Sequence, residues 1–172
     1  MAEVGADFVW RMEEVLWLYE QPYDEQRPVV CVDERPCQLI EDKHPPIAPE
    51  PGQTERVDYQ YQRNGTCNLF VAFQPLQGWR HVEVTERRTS ADFAHWLKRL
   101  VDECFPTQTT IRLVLDNLNI HTPASLYQTF EAKEARRILE KLELHYTPKH
   151  GSWLNMVEIE LSVLVRQCLK RR

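Results

Sequence analysis

Two short apolar runs in this chain each end on a carboxylate, and that repetition constrains the fold more than any other feature. Ile111 to His121 reads IRLVLDNLNIH, an apolar segment that delivers Asp116 and then the polar cluster Asn117, Asn119 and His121. Val29 to Glu34 reads VVCVDE and delivers Asp33 in the same way. A short apolar run bounded by polar or turn signals is the pattern of a fully buried sheet strand. In open α/β sheets ligands gather outside the carboxyl ends of such strands. The expectation is that Asp33 and Asp116 meet in space and share one site.

The rest of the chain supplies what such a sheet needs. Residues 3–20 place Phe8, Met12, Val15, Leu16 and Tyr19 on one stripe at helical spacing, an amphipathic helix that must pack on something. Gln21 to Pro28 is a connector bracketed by prolines. Pro36 to Arg56 holds five prolines with few large apolar residues and reads as an extended surface loop. Val57, Tyr59 and Tyr61 alternate with polar residues before Asn64-Gly65, a hairpin signal. CNLFVAF (67–73) and WRHVEVT (79–85) flank a second turn at Pro75 to Gly78, so three consecutive antiparallel strands are expected.

Thr89 and Asp92 form a T-x-x-D capping-box variant ahead of Phe93, Trp96, Leu97, Leu100, Val101 and Cys104 at helical spacing. Beyond the Ile111 strand, a helix begins at Thr122-Pro123 with proline near its first turn. A second helical run follows near 132–142. Leu144 to Thr147 is a short strand, PKHGS (148–152) a turn, and Trp153 to Leu169 a final helix. The fold class expected is α/β: a mixed sheet of three antiparallel strands then parallel strands, flanked by helices.

On a wheel of about 100° per residue, Leu154, Val157, Leu161, Leu164, Val165 and Leu169 define the buried stripe of that final helix. Glu158 falls between Leu154, Leu161 and Val165, while Glu160 lies on the far flank of the stripe. An ionised carboxylate among apolar neighbours is costly unless it is paired or binds a metal. Glu158 is therefore the candidate third acid beside Asp33 and Asp116. Three clustered anions repel, and hard divalent cations with a preference for oxygen relieve that repulsion. Two such ions serve phosphodiester cleavage by activating the attacking oxygen and stabilising the leaving one. The chemistry expected is metal-assisted phosphoryl transfer on nucleic acid.

Glu34 and Asn117 each follow a candidate acid by one position, so strand alternation sends them to the other side of the sheet, in supporting roles. Asn119 and His121 are placed to orient a water, a metal or a phosphate, or else to stabilise a turn and a helix start. Lys149 and His150 precede the final helix at the end that carries Glu158, and read either as phosphate-holding or as a solvated turn.

Other classes are excluded. There is no GxSxG elbow, no GxxxxGK[ST] loop and no HExxH pair. The 5 cysteines are scattered without a CxxC, which argues against a disulfide framework and a cysteine zinc site. A net charge of −5 is unlike that of a general nucleic-acid binder, although RQCLKRR (166–172) is locally basic. No apolar run reaches the roughly 18 residues of a membrane span, and a cytoplasmic location is expected.

VVCVDE, YQRNGTCNLFVAFQPLQGWRHVEVTERRTSADFAHWLKRLV, LVLDNLNIHTPASLY and HYTPKHGSWLNMVEIELSVL, in that order, resemble the catalytic domain of a DDE transposase. The nearest resemblance is to the bacterial insertion-sequence family IS six-thirty, related to the mariner elements, over residues 28–172. It implies an RNase H-like fold and the triad Asp33, Asp116 and Glu158, the last within LNMVE where relatives carry LNPxE. It further implies Mg²⁺ or Mn²⁺, two ions per site, and cleavage and strand transfer on double-stranded DNA at transposon inverted repeats, with a TA target. A homodimer as the active complex and association with the nucleoid belong to the same expectation, with no membrane involved. Residues 1–27 are expected to be a linker helix and connector, and 28–172 the catalytic domain. Such transposases also carry a helix-turn-helix region, not seen in this sequence. The alternative is therefore an inactive or regulatory fragment acting by association with DNA or a full-length partner.

Overall fold

The computed structural model describes residues 5–44, 47–54, 56, 60–118 and 120–169. Helix α1 spans Ala6–Glu20, and strands β1, β2 and β3 span Val29–Asp42, Tyr61–Gln74 and Trp79–Thr85. Helix α2 spans Ser90–Arg99 and runs on as a π-helical turn, Leu100–Cys104. Strand β4 (Ile111–Leu115), helices α3 (Ala124–Thr129) and α4 (Ala132–Glu140) and strand β5 (Leu142–Tyr146) follow. A 3₁₀ turn at Ser152–Leu154 leads to α5 (Val157–Leu164), which continues as a π-helical turn through Leu169.

The strands form a five-stranded sheet in the order β3-β2-β1-β4-β5. β1, β2 and β3 are antiparallel neighbours, while β4 lies parallel to both β1 and β5. This is the mixed sheet that the sequence predicts. Alternation along β1 sorts the two core layers. Val30 and Val32 join Phe70, Ala72, Leu113 and Leu115 beneath α2, α3 and α4. Val29 and Cys31 join Leu69, Val71, Phe73 and Val114 beneath α1 and α5. Each face buries apolar surface worth about 25 cal/mol per Å², which fixes the register: a one-residue slip would exchange the two faces.

Helix α2 begins as predicted. The Thr89 side chain accepts from the Asp92 amide while Asp92 accepts from the Thr89 amide, a complete capping box. Helix α1 buries Val15 and Leu18 completely, with Met12 and Tyr19 packed beside them. Leu16, placed on the buried stripe by helical spacing, is 44% exposed.

Two expectations about the first hairpin fail. β1 does not end near Glu34 but runs on to Asp42, through Pro36, paired with β2. Proline is tolerated because β4 accompanies β1 only at Val29, Val30 and Cys31, so the later part of β1 has a free edge. Asn64-Gly65 is not a hairpin turn: it lies inside β2. Gln38 pairs with Thr66 and Ile40 with Arg63, so Asn64 and Gly65 together oppose Leu39. That is a β-bulge, and Gly65 supplies the positive φ of 89° it requires. The alternation at Val57 and Tyr59 lies outside the described residues. The described cysteines are all free thiols, and no helix among the described residues is long and apolar enough to cross a membrane.

Candidate active site

The parallel strands β1 and β4 deliver their acids to the same end of the sheet. Val29 to Cys31 pair with Arg112 to Val114, so Asp33 and Asp116 each follow that shared ladder by two residues. Helix α5 closes the site from the face that carries Cys31. Its position depends on Asn155, 1% exposed, whose side-chain amide donates to the Val32 carbonyl at 2.8 Å. The Asn155 side-chain oxygen also faces the Val157 amide at 3.4 Å, at the start of α5. From below, the Tyr19 hydroxyl of α1 donates to the Leu154 carbonyl at 2.9 Å. Together these contacts set Glu158, in the first turn of α5, beside the end of β1.

The charge environment of Asp33 involves several acids. Burial is the main force raising the Asp33 carboxyl, and the charges of Asp116, Glu34 and Glu158 raise it further. A hydrogen bond from the Glu34 amide to Asp33 Oδ1, at 2.8 Å, works the other way. The outcome is a carboxyl pushed up to about 7. Asp33 thus feels three neighbouring acids, Asp116, Glu34 and Glu158. Among the described residues, though, no three His, Cys, Asp or Glu side chains stand grouped at metal-ligating distance. The acids share a field without being closed around a point.

Glu158 is reached by a different route from the one helical spacing suggests. It is exposed, not aimed at the core, and Glu160 is the more buried of the two glutamates. The wheel extends regular helix back to Trp153, whereas Trp153 and Leu154 lie in a 3₁₀ turn and α5 begins only at Val157. Glu160 ion-pairs with Arg80 of β3 at 2.8 Å, on the outer side of the sheet, and its charge is matched there. Glu158 instead borders an open cleft of about 320 Å³ lined by Arg35 and Arg166 together with Leu161, Ser162 and Val165.

His121 is the residue whose environment the sequence least conveys. It is 1% exposed, its ring centroid lies 4.6 Å from that of Phe93, and its two nitrogens face two carboxylates. Nδ1 is 2.5 Å from Asp116 Oδ1 and Nε2 is 2.8 Å from Glu34 Oε2. Burial opposes the charged imidazole, but these bonds to Asp116 and Glu34 outweigh it and push His121 up to about 9. With that shift the ring favours its imidazolium form at neutral pH. Glu34 does lie on the face opposite Asp33, as alternation predicts, yet it acts on the site through His121. Its parity with Val30 and Val32 was the available signal, since an acid continuing a buried face needs a partner.

The remaining candidates are less engaged. The Asn117 side chain donates to the Thr147 carbonyl at 2.6 Å and ties the β4 end to the β5 end. Asn119 lies outside the described residues. Lys149 and His150 are exposed on the turn after β5, His150 with a left-handed φ of 65°. Among the described residues no hydrogen bond or ion pair joins them to the three acids.

A family model described as "DDE superfamily endonuclease" matches residues 28–172. No curated protein matches the chain significantly. Among solved structures, the Mos1 mariner paired-end complex with Mn is similar, with a TM-score of 0.62 and 19% identity over 96% of this chain. A pre-cleavage Mos1 transpososome is similar at a TM-score of 0.60 and 16% identity over 95% of this chain. At such identities the likeness is one of fold. The chain spans about half the length of these solved chains, 49% of each.

Proposed function

The chain belongs to the DDE superfamily of endonucleases, and from that membership we propose that it is the catalytic core of a transposase, with Asp33, Asp116 and Glu158 as its three acids. The reaction is cleavage of DNA at transposon ends followed by strand transfer. The substrate is duplex DNA carrying inverted repeats, with a TA target, and the working assembly is a homodimer. Residues 28–172 form the catalytic domain and 1–27 its connector helix.

The observation that carries this reading is the delivery of Asp33 and Asp116 two residues past the shared parallel ladder of β1 and β4, with the helix that carries Glu158 tied to β1 through Asn155; burial and the charges of Asp116, Glu34 and Glu158 push the Asp33 carboxyl up to about 7. A half-buried carboxyl raised by neighbouring acids is the electrostatic mark of a site suited to a cation. The donor set is all carboxylate oxygen, which suits Mg²⁺ or Mn²⁺. Asp33, Asp116 and Glu158 would hold the ions, two per site. When bound, these ions supply a more acidic attacking oxygen and neutralise charge on the phosphate.

The protein's own groups do the rest. Asp33 would hold the cation as a carboxylate, its proton passing to solvent. Asp116 is oriented from behind by His121. Arg35 and Arg166, on the cleft beside Glu158, meet backbone phosphates of the DNA.

A nicking assay on transposon-end DNA with Mg²⁺ or Mn²⁺ tests the proposal. Cleavage by the wild-type chain that disappears in Asp33→Asn and Glu158→Gln is the expected result. DNA bound but never cut by wild type, with no metal binding in titration, would replace this reading with that of a regulatory fragment.

A further inference from the structure

We propose that Glu34 and His121 form a buried brace whose task is to hold the Asp116 carboxylate in its working orientation. The proposal rests on Asp116 being a site acid. Asp116 needs such a device because β4 ends at Leu115, so the sheet no longer fixes its side chain. Two bonds do so instead, both on one oxygen: Oδ1 accepts from the Leu118 amide at 3.2 Å and faces His121 Nδ1 at 2.5 Å.

The His121 ring is in turn immobilised from several sides. Glu34 Oε2 faces Nε2 at 2.8 Å, Phe93 of α2 lies against the ring, and Tyr146 of β5 donates its hydroxyl to the His121 carbonyl at 2.8 Å. Glu34 itself is set by β1, opposite Phe70 of β2. The brace therefore refers the position of Asp116 to β1, the strand that carries Asp33. Two acids delivered by separate strands are brought to one frame.

Stability alone does not explain the arrangement. The side chains of Glu34 and His121 are each 1% exposed, and burying such a pair stabilises a fold no better than apolar residues of similar volume. Glu34 Oε1 is buried without a hydrogen bond, with the Arg88 guanidinium 3.7 Å away. A carboxylate kept at that cost, bonded to a histidine bonded to a site acid, has the form of an outer-shell partner that orients a ligand.

Glu34→Gln, His121→Asn and His121→Ala test the brace, read by crystallography and by Mn²⁺ titration followed through the EPR signal of the free ion. The Asp116 carboxylate is expected to rotate or split into two conformers in Glu34→Gln and His121→Ala. Mn²⁺ affinity should fall about 10- to 100-fold in both. His121→Asn, which keeps a donor toward Asp116, should recover part of that loss. If His121→Ala does not fold, Glu34→Gln and His121→Asn carry the test. An Asp116 carboxylate that stays in place in folded variants, with wild-type Mn²⁺ affinity and only a lower melting temperature, would overturn the proposal. The metal-site reading fails separately: the wild-type chain then binds no more Mn²⁺ than Asp33→Asn, while Asp116 still moves in the brace variants and the brace stands as the device that orients that carboxylate.

Discussion

Asp33 and Glu34 are adjacent in sequence and leave β1 on opposite faces of the sheet, and the two faces treat their charge in opposite ways. On the α5 side Asp33 is raised to about 7 because burial and the charges of Asp116, Glu34 and Glu158 all disfavour its anion. On the α2 side Glu34 meets an imidazolium at 2.8 Å. One acid is left electrostatically frustrated and the other is compensated within the fold. Natural sequences break local rules mainly where function requires it, which supports the proposal that the Asp33 face is the working one and Glu34 its support.

The largest test of this contrast is Asp33→Asn, together with Asp116→Asn and Glu158→Gln. Each should lower DNA cleavage by at least about 10³-fold, the scale of removing a member of a group that acts as a unit. Asp33→Asn should at the same time raise the melting temperature of the metal-free protein, because it removes a disfavoured anion. A carboxyl raised from its ordinary value to about 7 is worth on the order of 4 kcal/mol above pH 7. A variant that is inactive and also less stable would mean that Asp33 is compensated after all.

The pH dependence of stability separates the two faces further. For Asp33 the folded value, about 7, lies above the unfolded one. Its contribution is fully present below about pH 4 and is lost as pH rises through 7. For His121 the folded value is about 9, so its contribution is present below about pH 6.5 and is lost as pH rises through 9. Metal-free protein should therefore weaken in two steps on going from pH 4 to pH 10. Denaturant titrations across that range should show Asp33→Asn flattening the lower step and Glu34→Gln chiefly shrinking the upper one, with a smaller reduction of the lower step because the Glu34 charge also raises Asp33. A Glu34→Gln variant that left the upper step intact would show that Glu34 does not hold the His121 charge.

How much of this was legible in the sequence follows from the range of each interaction. The ends of β1 and β4 were legible because an apolar run and its terminal acid are local features. The capping box at Thr89 and Asp92 was legible for the same reason. The Glu34–His121 pair spans 87 residues, and no periodicity links positions so far apart. Two local signals misled because their context changed. Asn64-Gly65 has the backbone freedom of a turn and spends it in a bulge. The wheel for Glu158 assumed one angular step through Trp153 to Asn155, where the chain is not α-helical. The role of Asn155 was invisible because its partner is a backbone carbonyl of β1.

Asn155→Ala should give an intermediate effect. It leaves the Val32 carbonyl without the Asn155 donor and frees the start of α5, for a loss of about 1 to 3 kcal/mol. Cleavage should fall with it, since Glu158 lies three residues on. Thermal unfolding and the nicking rate measured on the same sample check both parts. A stability loss with full activity would show that Glu158 does not depend on this tether.

The smallest effect belongs to Glu160→Gln. Arg80 is 58% exposed in its ion pair with Glu160, whose side chain is 14% exposed, and such pairs contribute about 0 to 1 kcal/mol. Because Arg80 already matches the charge of Glu160, the variant should leave the Asp33 field, Mn²⁺ affinity and cleavage close to wild type. Set against Glu158→Gln, two positions away on the same helix, it isolates what matters about a carboxylate here. Burial alone favours Glu160 as the special residue, whereas lack of compensation favours Glu158. Cleavage that survives Glu158→Gln and dies with Glu160→Gln would reverse the assignment of the third acid and show that the Arg80 ion pair does not remove Glu160 from the site.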